Sequence, residues 1–317
     1  MCSAMPERPL SIALGTGGAT RAIVDGSVAM PGVEIDVASA ARLPPVFRRM
    51  VREAAFDVCE MALTTFVCAR AHGKDLIALP VFPVRGFHHG AILVRPDGPV
   101  GDPRALERRR VGVNRGYTVT TGVWARAILQ QEHGVGLDRI TWVTTGDEHV
   151  AEYEPPANVV SAPPGGDLAA LVSSGLLDAA VGLGAAAPLV PLIPDPIGAA
   201  LTRLRGDGFF PINHVIVTRG ALVAERPELV PELIAMFAAA KRAYLHWLRD
   251  ADEADLTPSD RISRLAMAEL GDPLPYGVER NRDILSQLLD QIARQHIVDQ
   301  PPTLEALFAS NIPNTIQ

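Results

Sequence analysis

Two periods of apolar spacing run along this 317-residue chain. Short, mainly apolar runs end in glycine, threonine or another small residue. Most lead into stretches whose apolar positions lie three and four apart. The first pattern predicts buried strands and the second amphipathic helices. Residues 10–14, 33–37, 56–60, 76–81 and 90–94 are predicted strands. Residues 44–54 are a predicted helix with Val46, Met50 and Val51 on one face and Pro44 and Pro45 at its start. A second helix follows the third strand and closes near Gly73.

A proline- and glycine-rich stretch, RPDGPVGDP at 95–103, then interrupts the pattern. The same units resume with a short polar helix (104–110), a strand (111–113), a helix (118–133) and a strand (140–143). A helix at 167–175 and a strand at 178–183 follow. RGDGFFP at 205–211 is a second break, before a strand at 213–218 and a long helix at 227–249. The remainder is helical, broken at 273–277. The chain therefore crosses between lobes twice, near 94–98 and 205–212. Residues 1–93 with 212–317 form one lobe and 94–211 the other, each built on a parallel α/β sheet.

Composition narrows the function. A net charge of −7 makes nucleic acid a poor partner, and 5% aromatic residues offer no stacking platform. Cys2, Cys59 and Cys68 form neither a disulfide framework nor a zinc knuckle, and read as small buried hydrophobes in a reducing compartment. The apolar run at 10–14 is too short for a signal peptide. The uncharged stretch between Asp178 and Asp195 is too short for a membrane span and is broken by Pro188, Pro191 and Pro194. The expectation is a cytoplasmic protein with no membrane partner. A monomer and a homo-oligomer are both left open.

Ligands of open α/β sheets bind beyond the carboxyl ends of the strands. Four such ends, 15–20, 60–65, 114–121 and 184–188, are rich in small or hydroxyl residues, two from each lobe. A small carboxylated molecule between the lobes would meet helix N-termini there. Thr16, Glu60, Tyr117 and Thr121 are candidate contacts, and Thr64-Thr65 and Thr120-Thr121 read either as helix caps or as ligand groups. Gly15-x-Gly17-Gly18 lacks the final glycine or alanine of a dinucleotide fingerprint, since position 20 is Thr20. Arg85 can pair with a carboxylate, and one of His88 and His89 can face the cleft as acid or base. His214 lies inside an apolar strand, and Asp147-Glu148-His149 reads as a solvated loop. No HExxH or GxSxG is present.

Several blocks together resemble the 4,5-dihydroxyphthalate decarboxylase family. They are LSIALG with PGVEIDV within 10–37, FRRMVREAAFDVCEMALTTF at 47–66 and LPVFPVRGFHHGAILVR at 79–95. RRVGVNRGYTVTTGVWARAIL at 109–129, GFFPINHVIV at 208–217 and PYGVERNR at 275–282 continue them in family order. The resemblance implies an α/β, two-lobe fold like that of type II periplasmic binding proteins, with a ligand cleft between the lobes. It also implies cofactor-independent decarboxylation of a hydroxylated aromatic acid. His89 or His214 would be the proton donor, and Glu279 would orient it or deprotonate a hydroxyl. Arg85, His88, Thr64, Thr65, Tyr117 and Thr120 would hold the substrate. A divalent metal on His89, His214 and Glu279 is compatible with the residue types, but no spacing shows it. Relatives carry an acid in the first turn and an arginine in the block at 181–188, where this chain has Gly15-Thr16-Gly17-Gly18 and VGLGAAAP. A monocarboxylate is therefore the expected ligand. The alternatives are a non-catalytic solute-binding protein of the transporter type and another lyase on the same scaffold.

Overall fold

Two mixed sheets carry the molecule. The computed structural model describes residues 8–162 and 165–310, which leaves Cys2 outside the described residues. The first sheet holds β1 (Leu10–Gly15), β2 (Ile35–Ala40), β3 (Val58–Ala62), β4 (Leu76–Arg85) and β11 (Ile212–Arg219) in the order β2-β1-β3-β11-β4. The second holds β5 (Ile92–Val94), β6 (Arg110–Val113), β7 (Thr141–Thr144), β8 (Val159–Ser161), β9 (Ala179–Val181) and β10 (Val190–Pro191), ordered β10-β5-β9-β6-β7-β8.

The two-lobe plan agrees with the sequence pattern, and three details differ. β5 already belongs to the second sheet, so the chain changes sheets between Arg85 and Ile92, ahead of the proline-rich stretch at 95–103. The sheets are not purely parallel. β11 runs antiparallel to both β3 and β4, because the chain re-enters the first lobe from the hinge end. β5 likewise runs antiparallel to β9 and β10. Finally, the helix Arg282–Arg294 packs on the second lobe's helix Thr120–His133, where buried Gln295 donates to Val123 O and accepts from Arg126. The C-terminal segment therefore straps the lobes together instead of only completing the first.

β8 and β10, absent from the sequence reading, are the two edges of the second sheet. They are short and mostly exposed, so they carry no apolar alternation to detect. In the first sheet Asp57, just before β3, ties the strands together. It accepts both guanidinium nitrogens of Arg8 at 2.7 Å, the Ser11 N–H and hydroxyl at 3.0 Å, and Arg219. Cys59 and Cys68 are buried free thiols, and burial pushes Cys68 up to about 12. Among the described residues no helix is long and apolar enough to cross a membrane.

Candidate active site

Glu60 and His214 meet because of strand register. In the antiparallel pair of β3 and β11, His214 lies opposite Ala62 and Ile216 opposite Glu60. The two side chains are diagonal neighbours on one face of the sheet. On the other side of β11, the β4 pairing jumps from Val84 to Leu79 while β11 advances only from His214 to Ile216. Pro80 and Pro83 fall in that interval, and neither has an N–H for the ladder. The resulting bulge sits beside His214, as bulges next to reactive side chains often do.

The Glu60 carboxylate is buried, so each oxygen needs a donor. Oε2 accepts the Gly15 N–H at 2.9 Å, and Oε1 accepts from His214 Nδ1 at 2.6 Å. Glycine suits position 15, since a Cβ there would stand 3.2 Å from Glu60 Oε2 and 3.3 Å from Leu43 Cδ1. With Nδ1 engaged, Nε2 is the imidazole nitrogen left for a ligand. Phe47 meets the His214 ring edge to face at 5.3 Å.

A cavity of about 400 Å³ opens at this end of the first sheet. Gly15, Thr16, Glu60, Arg85 and His214 line it, closed by Ser259, Asp260 and Ser263 of the helix Pro258–Leu270. A second cavity of about 380 Å³ shares Val84, Arg85 and Ser259 with it and reaches the other lobe at Thr121 and Gly182–Gly184. Two of the four expected strand ends, 15–20 and 60–65, thus contribute Gly15–Gly18 and Glu60 to the first cavity. The other two meet the second cavity through Thr121 and Gly184.

The remaining expected residues divide. His88 lines the second cavity, bonded through Nε2 to Asn213 Oδ1 at 2.8 Å. Burial pushes it down to about 4, against the Asn213 bond. Arg85 faces both cavities, but its terminal nitrogens donate to Phe210 O (3.0 Å) and Asn281 Oδ1, leaving only a buried Nε unpartnered. Thr64, Thr65 and Thr120 are buried between the lobes and bonded within the protein. Thr64 and Thr120 hydroxyls are 2.6 Å apart, and Thr65 shares a bond with His149 Nδ1 at 3.1 Å. Tyr117 lies under the Arg126 guanidinium, 3.8 Å from its ring centre, and faces a different cavity bounded by Gln130 and Arg294–His296.

His89 and Glu279 do not reach His214's cavity. His89 is fully buried with Nε2 on Glu132, whose carboxylate also takes Arg203. Glu279 is exposed and paired with Arg282, so the carboxylate that orients His214 is Glu60. The metal trio His89, His214 and Glu279 is therefore dispersed over three separate pairs. Among the described residues no group of three or more His, Cys, Asp and Glu side chains could hold a metal ion.

One buried histidine beside Phe47 was passed over in the sequence. His149 is buried, not solvated, and its ring meets Phe47 edge to face at 5.8 Å, so Phe47 contacts His149 as well as His214. Burial, followed by the charges of Arg48 and Arg115, pushes it down to about 4. The strand-end rule would have found it, since it follows β7 by five residues.

No family model matches the chain. A 4,5-dihydroxyphthalate decarboxylase of Comamonas testosteroni is 31% identical in an alignment 310 residues long that covers 92% of this chain and 92% of that protein. The chain belongs to the 4,5-dihydroxyphthalate decarboxylase family. A second decarboxylase of that name, from Pseudomonas putida, is 35% identical over 56% of this chain and 71% of its own length. The fold of this family member is that of the periplasmic binding proteins. The crystal structure of the periplasmic aliphatic sulphonate binding protein SsuA from Escherichia coli superposes with a TM-score of 0.56 at 14% identity, over 96% of this chain and 98% of that one.

Proposed function

We propose that the protein is a carboxy-lyase that removes CO₂ from a hydroxylated aromatic acid, with 4,5-dihydroxyphthalate as its reference substrate. The observation that carries this reading is the Glu60–His214 pair in a cavity of molecular size, in a chain 31% identical to a decarboxylase of that name. His214, oriented by Glu60, donates its Nε2 proton to the ring carbon bearing the carboxylate. The C–C bond then breaks, its electrons restore the aromatic ring and CO₂ leaves. The imidazole recovers its proton from water. A ring hydroxyl supplies the electron density that lets the carbon accept the proton. We place the protein in the cytoplasm, where buried thiols such as Cys59 and Cys68 stay reduced.

The test is product analysis with the purified protein. Incubation with 4,5-dihydroxyphthalate in D₂O is expected to give CO₂ and 3,4-dihydroxybenzoate carrying one deuterium at the vacated carbon. Binding without CO₂ release would return the protein to the solute-binding alternative.

A further inference from the structure

The face where the lobes meet is rich in arginine, and two of these arginines lack a partner among the described residues. Arg48 and Arg52 are occupied. Arg48 donates to Asp147 at 2.6 Å, and Arg52 donates to Asp147 at 3.4 Å, Glu148 O at 2.8 Å and His149 O at 3.2 Å. Among the described residues, Arg42 and Arg115 have neither an acidic partner nor a side-chain hydrogen bond. Arg42 follows β2 of the first lobe, between Ala41 and Leu43, which both line the Glu60–His214 cavity. Arg115 follows β6 of the second lobe.

Arg115 is held there against several costs. Its backbone has a φ of 70°, a conformation that residues with a side chain rarely adopt. Thr145 pins it from both sides: its hydroxyl accepts the Arg115 N–H and its N–H donates to Arg115 O, each at 3.1 Å. Gly146 packs so closely that a Cβ would stand 3.2 Å from the Arg115 Cα. The side chain is half-buried, with Nε enclosed and unpartnered. Burial, and then the like charge of Arg42, disfavour its cationic form. Strain, desolvation and repulsion without a counter-charge among the described residues are the marks of a built anion site.

We propose that Arg42 and Arg115, one from each lobe, jointly bind the substrate carboxylate that is not lost, and so select an aromatic 1,2-dicarboxylate over a monocarboxylate. The proposal rests on the decarboxylase reading and reverses the monocarboxylate expectation. That expectation came from the missing arginine in the block at 181–188. The pair supplies the missing charge from a different place, and guanidinium groups suit carboxylate recognition.

Phthalate and benzoate are the probes, as ligands measured by calorimetry, beside steady-state kinetics on 4,5-dihydroxyphthalate. The wild type is expected to bind phthalate at least about tenfold more tightly than benzoate. Arg115→Met and Arg42→Met are each expected to lower phthalate affinity about ten- to a hundredfold, to bring the two affinities together, and to raise KM more than they lower kcat. Arg42 is exposed, so its variant serves if Arg115→Met does not fold. Unchanged preference and KM in Arg42→Met, with turnover intact, would overturn the proposal and leave the decarboxylase standing. Phthalate binding that depends on both arginines, in a wild type that releases no CO₂, would support the anion site and sink the decarboxylase instead.

Discussion

Glu60 and His214 are diagonal neighbours across β3 and β11, joined at 2.6 Å, and the second Glu60 oxygen is fixed by the backbone of Gly15. The histidine is therefore held by a carboxylate that is itself held by the first turn of the chain. Glu60→Gln preserves the length and an acceptor for Gly15 while removing the charge. It is expected to lower kcat about 10²- to 10⁴-fold with the folded state intact by circular dichroism. Full turnover in that variant would remove Glu60 from the proton path.

Thr64 and Thr120 were candidates for substrate contact, and their hydroxyls are instead bonded to each other and to Thr118 O. Thr64→Val keeps the shape, removes the donor to Thr118 O and leaves the Thr120 hydroxyl oxygen with only the Thr64 N–H. A loss of about 1–3 kcal/mol is expected in urea denaturation, with little change in KM. A raised KM at unchanged stability would instead mark Thr64 as a substrate group.

Acid should destabilise the fold in two stages. His88 and His149 are both depressed to about 4, chiefly by burial. An unfolded histidine titrates near about 6.5, so stability is expected to fall as pH drops from there towards about 4. Asp57 adds a second loss at lower pH. Burial opposes its ionisation, but the hydrogen bonds from Arg8, Ser11 and Arg219 outweigh this and hold it well below the usual range. Its contribution is present above about pH 4 and disappears below. Thermal midpoints measured from pH 8 to 3 check both. A flat profile between pH 6.5 and 4.5 would contradict the neutral burial of the two histidines.

Gly112 lies in β6 with no room for a side chain, since a Cβ there would stand 2.1 Å from Leu168 Cδ1 and 2.8 Å from Leu177 Cδ1. Gly112→Ala is expected to cost about 1–3 kcal/mol through overpacking of the second lobe's core. Equal stability of wild type and variant in denaturant melts would show that Leu168 can move aside freely.

Strand ends in the sequence located much of the site, because small residues after an apolar run mark where a sheet meets its ligand. Glu60 and Thr121 were legible in this way, and His214 through the block it shares with the family. What the chain order concealed was direction and pairing. His214 shares a cavity with Glu60 only because β11 returns antiparallel, which no local pattern around residues 212–219 encodes. Glu279, inside the family-like block at 275–282, lies on an exposed turn where Arg282 occupies it. His149 looked solvated because Asp147 and Glu148 precede it. Those acids are in fact consumed by Arg48 and by the N–H groups of Tyr117 and Thr118, which leaves the histidine buried.

The most direct test of the central claim is the rate of CO₂ release from 4,5-dihydroxyphthalate by His214→Ala beside the wild type, at saturating substrate. A fall of about 10²- to 10⁴-fold, in a variant that still binds phthalate, is the result expected of the proton donor. Turnover within a factor of two or three of the wild type would contradict the assignment of His214 and with it the mechanism built on the Glu60–His214 pair.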